Sequence, residues 1–279
     1  MKTEIISTWN AKTFTEDIHA FLKEHSETII RYHRIERQTD EETERLQEWR
    51  LRPRNPFSDA YNRTVESLSD LMAAKTIRAF HFTRMVDFEV EDVFANGFYA
   101  PTTEDSFVRL SERVGRLVSA GHLTIQEGDR IFSSSPLNDP EQLRARQGFW
   151  MTTGVFRPED SSVRLLLDNW GGEVGYFWID ESQDPDLLTR VQAIGHGRIF
   201  EIAVPLTDGN GQPIFGCYSA AKDIVNGFAQ SHGFQTDRLG FDLSIKTALP
   251  TSAILAVHTE GEESYLQFGR DHADDVPEQ

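Results

Sequence analysis

A chain of 279 residues that is 38% hydrophobic and 26% charged has the composition of a globular protein, not a disordered or fibrous one, and its size suits one elaborated domain or two smaller ones. The single cysteine, Cys217, excludes a disulfide framework and a multi-cysteine metal site, and no apolar run reaches the length of a membrane span, so a cytoplasmic protein without membrane passage is expected. Basic residues number 28 against 45 acidic ones, a formal net charge of −17, which argues against a general phosphate-binding surface.

Residues 1–75 read as a helical appendage. Thr13 with Glu16 has capping-box spacing, and Ile18, Phe21, Leu22, Ile29 and Ile30 recur at helical intervals. Thr39 with Glu42 repeats the box ahead of Leu46 and Trp49, and Pro53 with Pro56 breaks the pattern within WRLRPRNPF (49–57). Arg50, Arg52 and Arg54 alternate there, as in a small polynucleotide patch, although a polar linker is the commoner use of such a segment. A third helix from a Ser58 cap to about Ala74 places Tyr61, Val65, Leu68 and Met72 on one face.

From Ile77 onward the pattern changes. Strands are expected at 77–84, 148–153, 174–179, 198–206 and 252–258, with helices at 90–97, 162–170, 186–195 and 220–230. A helical insertion at 101–147 carries Phe107, Leu110, Val114, Leu117 and Val118 on one face, and Thr124 with Glu127 caps its second helix. The domain therefore spans 76–268, followed by an acidic tail at 269–279 that is too polar to pack. Uneven loops, short helices and the lack of a glycine-rich fingerprint after the first strand favour an α+β fold with a mixed or antiparallel sheet over a doubly wound one.

Three segments concentrate side chains capable of chemistry. In AFHFTR, strand alternation sets Phe80 and Phe82 on one face and His81 and Thr83 on the other, and Arg84 follows. GFWMTT pairs Trp150 with Thr152. In WGGEVGYFW two glycines free the backbone just before Glu173, with Tyr176 close behind. Each also has a plain structural use: a solvated strand face, core-filling rings, and a helix stop followed by a turn. The chain contains no Walker loop, GxSxG elbow, HExxH helix or EF-hand loop, and its nine histidines are scattered singly, so no protein-bound metal is expected.

The order of these segments resembles the ADP-ribosyltransferases, in particular the histidine-bearing branch that includes nucleic-acid-modifying toxins of toxin–antitoxin pairs. HFTRMVDFEVEDVFANGF (81–98) carries most of the likeness: a His-x-Thr strand, then a helix that stops at an Asn-Gly. The resemblance covers about residues 77–206. It implies an NAD-dependent transferase of ADP-ribosyltransferase fold, with NAD as substrate, a nucleic acid or protein acceptor, an antitoxin partner and a toxin or defence role. Carried over, His81, Thr83 and Arg84 hold the dinucleotide, with Thr152 beside them, and Trp150 or Tyr176 stacks on nicotinamide. Glu173 is the first choice for the catalytic carboxylate, with Glu201 and Glu260 as competitors. The chemistry asks for such a group because cleaving an N-glycosidic bond builds positive charge on the sugar. Two other readings stay open: an inactive binding module on the same scaffold, and an RNA phosphotransferase relative that relies on His81 and Arg84 and needs no glutamate.

Overall fold

The computed structural model describes residues 4–46, 53–236 and 240–270. In chain order it contains β1 (Ile5–Ile6), α1 (Glu16–Glu24), α2 (Ser26–Leu46), α3 (Ser58–Met72), β2 (Thr76–Met85), α4 (Asp87–Asn96), α5 (Ser106–Ser119) and α6 (Ile125–Ser133). These are followed by α7 (Pro140–Ala145), β3 (Phe149–Thr152), α8 (Ser161–Asp168), α9 (Glu173–Tyr176) and α10 (Pro185–Gln192). β4 (His196–Pro205), α11 (Cys217–Ser231), β5 (Asp242–Ile245), β6 (Ile254–Thr259) and α12 (Glu263–Leu266) complete the described chain. The fold is α+β, with a sheet in the order β5-β3-β2-β4-β6 and β1 added to β2. β1 runs parallel to β2, whereas β4 and β6 are antiparallel with a register shift between Glu201 and Ile202. No helix among the described residues is long and apolar enough to cross a membrane.

The chain divides into two compact units. Met1–Ala79, Thr152–Gly154 and Ala203–Leu243 form one, and Phe80–Met151, Val155–Ile202 and Ser244–Gln279 form the other. In the first, the apolar stripes of α1 to α3 meet each other and α11. Ile18, Leu22, Ile29, Tyr61, Val65, Leu68 and Met72 are buried, as are Ala220, Ala221, Ile224 and Val225 of α11. The Tyr61 hydroxyl donates to Asn226 Oδ1 at 3.0 Å, and its ring stacks on Tyr32 at 3.9 Å.

Neither amino-terminal capping box forms. Thr13 Oγ1 donates to the Asn10 carbonyl at 2.7 Å and accepts the Ser7 amide at 2.9 Å, so it closes a turn before α1. Thr39 and Glu42 lie inside the continuous α2, where the Thr43 hydroxyl bonds back to the Thr39 carbonyl at 2.7 Å. In WRLRPRNPF the described part acts as a linker. Asn55 Nδ2 donates to the Tyr32 carbonyl at 2.9 Å and to Glu36 Oε1 at 2.7 Å, and Arg54 pairs with Asp59. Trp49, Arg50 and Arg52 lie outside the described residues, as does the tail from 271 onward.

The second unit has a core in which the 101–147 segment is a full participant. Leu110, Val114 and Leu117 of α5 and Ile131 of α6 pack with Val86, Leu187, Val191 and the wholly buried Trp170. The expected strand at 174–179 is absent. Gly171 (φ 86°) and Gly172 (φ 61°) turn the chain sharply after Trp170, and α9 starts directly afterwards. The apolar run 174–179 lacks a period of two: Val174, Tyr176 and Ile179 pack on the core, while Phe177 and Trp178 are exposed. β1 and β5, of two and four residues, carry too little pattern to stand out in the sequence.

Candidate functional site

The ten residues of β2 set the site's geometry because their two faces have different neighbours. Phe80 and Phe82 lie against Phe268, at 5.2 and 6.0 Å between ring centres. On the other face the His81 ring packs against Phe149 at 4.6 Å and edge-on to Phe98 at 6.1 Å, and Thr83 is buried two residues along. α4 follows the strand and stops at Gly97, whose φ of 78° and close approach to the Leu249 carbonyl leave no room for a side chain. That stop brings Phe98 over Phe149, 4.5 Å between centres, and closes the aromatic wall beside His81.

His81 Nδ1 lies 2.9 Å from the Trp150 carbonyl oxygen. A carbonyl only accepts, so Nδ1 carries the proton. Burial pushes the histidine pKa down to about 4; the carbonyl contact opposes this shift, and the positive charge of Arg113 adds to it. The ring is therefore neutral near pH 7, and Nε2, which makes no hydrogen bond among the described residues, presents an acceptor lone pair.

Arg84 stands apart from His81. Alternation carries it to the Phe80 and Phe82 face, where Nε donates to the Ile194 carbonyl at 3.0 Å. Nη1 donates to the Leu167 carbonyl at 3.1 Å and pairs with Glu260 Oε2 at 2.9 Å, leaving the side chain 13% exposed. Glu260 also accepts the Gly197 amide at 2.9 Å. Glu201 is engaged by His258 Nε2 at 2.9 Å across the β4 and β6 pairing. Both competing carboxylates are thus held in structural contacts away from His81. Thr152 is likewise committed to the backbone, donating to the Phe241 carbonyl at 3.2 Å and accepting from the Gly154 amide at 3.1 Å.

Glu173 opens α9 with its side chain 48% exposed and its carboxylate 2.8 Å from Arg146 Nη2. Tyr176 lies on the same short helix, its phenol pushed up to about 12 by burial and then by the Glu173 charge, with Arg146 opposing. Trp150 is 39% exposed, but its indole leaves β3 on the face opposite Phe149, and Nε1 donates to the Gln147 carbonyl at 3.0 Å. The structure therefore forms two groups, His81 with Thr83 and the aromatic wall, and Glu173 with Arg146 and Tyr176. No hydrogen bond, ion pair or ring contact joins His81 to Glu173 or Tyr176 among the described residues.

Comparison of the chain with protein-family models, with curated proteins and with solved structures finds no match.

Sequence reasoning missed the residues between the two groups. Buried Glu89 accepts the Val86 amide at 3.1 Å, Arg113 Nε at 2.7 Å and Trp170 Nε1 at 2.9 Å. The Arg113 guanidinium lies over the Trp170 ring, 4.7 Å from its centre. Trp170 immediately precedes Gly171 and Gly172, so this network supports the turn that presents Glu173. A Glu at the third position of α4 was the only local signal, and without a Ser or Thr before the helix it did not read as a cap.

Proposed function

We propose that this protein cleaves the nicotinamide–ribose bond of NAD and transfers ADP-ribose to a macromolecular acceptor. The single observation that carries the reading is the state of His81: a neutral ring, oriented by the Trp150 carbonyl, whose Nε2 is left as an acceptor beside Thr83. An acceptor of this kind suits a ribose hydroxyl, which donates, and the adjacent threonine adds a second hydrogen-bonding group on the same strand face. The resemblance of residues 81–98 to the histidine-bearing transferases supports the same role.

In this reaction a nucleophilic oxygen or nitrogen of the acceptor bonds to the anomeric carbon, nicotinamide leaves with the glycosidic electron pair, and the acceptor's proton passes to solvent. Positive charge grows on the sugar as the bond lengthens, and Glu173 is the carboxylate assigned to offset it. Glu201 pairs with His258, and Glu260 with both Arg84 and the Gly197 amide, whereas Glu173 is held by Arg146 beside Tyr176, the ring that accompanies it. The phosphotransferase reading loses support from Arg84, whose guanidinium is bound to two carbonyls and Glu260.

The test is nicotinamide release from NAD by the purified protein, with and without nucleic acid and protein acceptors. Release that depends on His81 and Glu173 supports the assignment. Its absence under every acceptor condition would remove the transferase reading in favour of a binding module.

A further inference from the structure

Glu173 occupies an awkward position for a group that must act at a defined point in space. It follows two glycines with positive φ, it starts a helix of only four residues, and about half of its side chain is in solvent. A glutamate so placed samples several rotamers unless something holds it, and a displacement of about 1 Å at a reacting centre costs on the order of 100-fold in rate.

Arg146 supplies the hold. It caps α7 and is 15% exposed; its Nη2 reaches Glu173 at 2.8 Å, Nη1 donates to Gln142 Oε1, and the guanidinium lies 5.4 Å from the centre of the Phe177 ring. Its Nε is buried without a hydrogen-bond partner, so the guanidinium is oriented from its outer edge, where Glu173 sits. Arg146 also lies three residues before Phe149, at the entry to the strand whose Trp150 carbonyl orients His81. One short stretch, 146–150, therefore touches both groups of the candidate site.

We propose that Arg146 is a positioning residue that fixes the Glu173 carboxylate for glycosidic cleavage and acts only through it. The inference rests on the transferase reading. It predicts that Arg146→Ala lowers kcat for nicotinamide release by roughly 10–100-fold with little change in the KM for NAD. Arg146→Lys, which keeps the charge but replaces the planar fork by a single ammonium, retains a larger share of the rate, and guanidinium ion added to Arg146→Ala restores part of it. A role in folding alone would respond to neither.

The second arm does not depend on turnover. The buried Arg146 Nε–H gives an exchange-protected side-chain resonance, identified by its loss in Arg146→Lys, and Glu173→Gln shifts it. A resonance indifferent to Glu173→Gln, or an Arg146→Ala enzyme with wild-type or higher kcat, overturns the positioning role while leaving the transferase reading intact. A loss of rate that neither lysine nor guanidinium restores overturns it as well. A wild-type protein that releases no nicotinamide overturns the transferase reading and this role with it.

Discussion

The imidazole Nδ1 of His81 sits 2.9 Å from the main-chain oxygen of Trp150, so a backbone atom of one strand determines the tautomer of a side chain on the next. The consequence is chemical as well as structural. The histidine offers an acceptor and carries no charge, because burial and the positive charge of Arg113 both disfavour the imidazolium.

His81→Ala removes that acceptor. One hydrogen bond between uncharged groups contributes roughly 0.5–1.5 kcal/mol, so NAD binding should weaken by up to about tenfold. Isothermal titration of NAD into the inactive Glu173→Gln background checks this without turnover. Unchanged affinity would detach His81 from the dinucleotide.

The low pKa of His81 has a defined sign in stability. In the unfolded chain the ring gains its proton near 6.5, whereas burial keeps the folded ring neutral down to about 4. The unfolded state binds more protons in that window, so stability is highest above 6.5 and falls as the pH drops toward 4. Burial shifts His33, enclosed by Tyr32, Tyr61 and Phe234, in the same direction and deepens the loss. Urea midpoints measured from pH 7.5 to 4.5 should decline, and His81→Phe should flatten the decline.

Glu173→Gln keeps the shape and removes the charge. Loss of one preorganised electrostatic group costs about 3–4 kcal/mol in the transition state, or roughly a hundredfold to a thousandfold in kcat. Melting temperature and NAD affinity should change little, because the side chain is half exposed. Retained turnover would move the carboxylate role to Glu260 or Glu201.

Trp170 carries a larger structural burden. It is wholly buried, donates to Glu89 at 2.9 Å and lies under the Arg113 guanidinium. Trp170→Ala should destabilise the protein by about 3–5 kcal/mol, and Trp170→Phe by a smaller amount, about 1–3 kcal/mol, because one donor to a buried carboxylate is lost. Denaturant unfolding of the two variants separates packing from the hydrogen bond.

Gly97→Ala should also destabilise. The backbone at Gly97, φ 78° and ψ −168°, lies in a region essentially confined to glycine and alone costs a side chain roughly 1–3 kcal/mol, and the added carbon would meet the Leu249 carbonyl. A variant as stable as wild type would mean that the turn relaxes freely.

Local periodicity made much of the fold legible. Tyr61, Val65, Leu68 and Met72 follow a helical interval and are buried together, and AFHFTR alternates as a strand should. The run after Gly172 misled because its residues are rich in β-forming types while two positive-φ glycines and the adjacent Trp170 impose a turn, a tertiary effect that outweighs propensity. The capping boxes at Thr13 and Thr39 failed although the spacing was present: the Thr13 hydroxyl bonds the Asn10 carbonyl, and Thr39 lies within the continuous α2, where there is no helix start to cap. Arg113 and Arg146 were illegible because each finds its carboxylate in a separate element, Glu89 of α4 and Glu173 of α9, and no sequence period links them.

Arg84 joins acceptors 83, 110 and 176 positions further along the chain: the carbonyls of Leu167 and Ile194 and the carboxylate of Glu260. These partners leave the ribosome in that order, and the charge-neutralising one comes last. A nascent chain thus holds an unneutralised guanidinium on its central strand until residue 260 has emerged, and closure of the β4 and β6 pairing is a late, long-range event in synthesis.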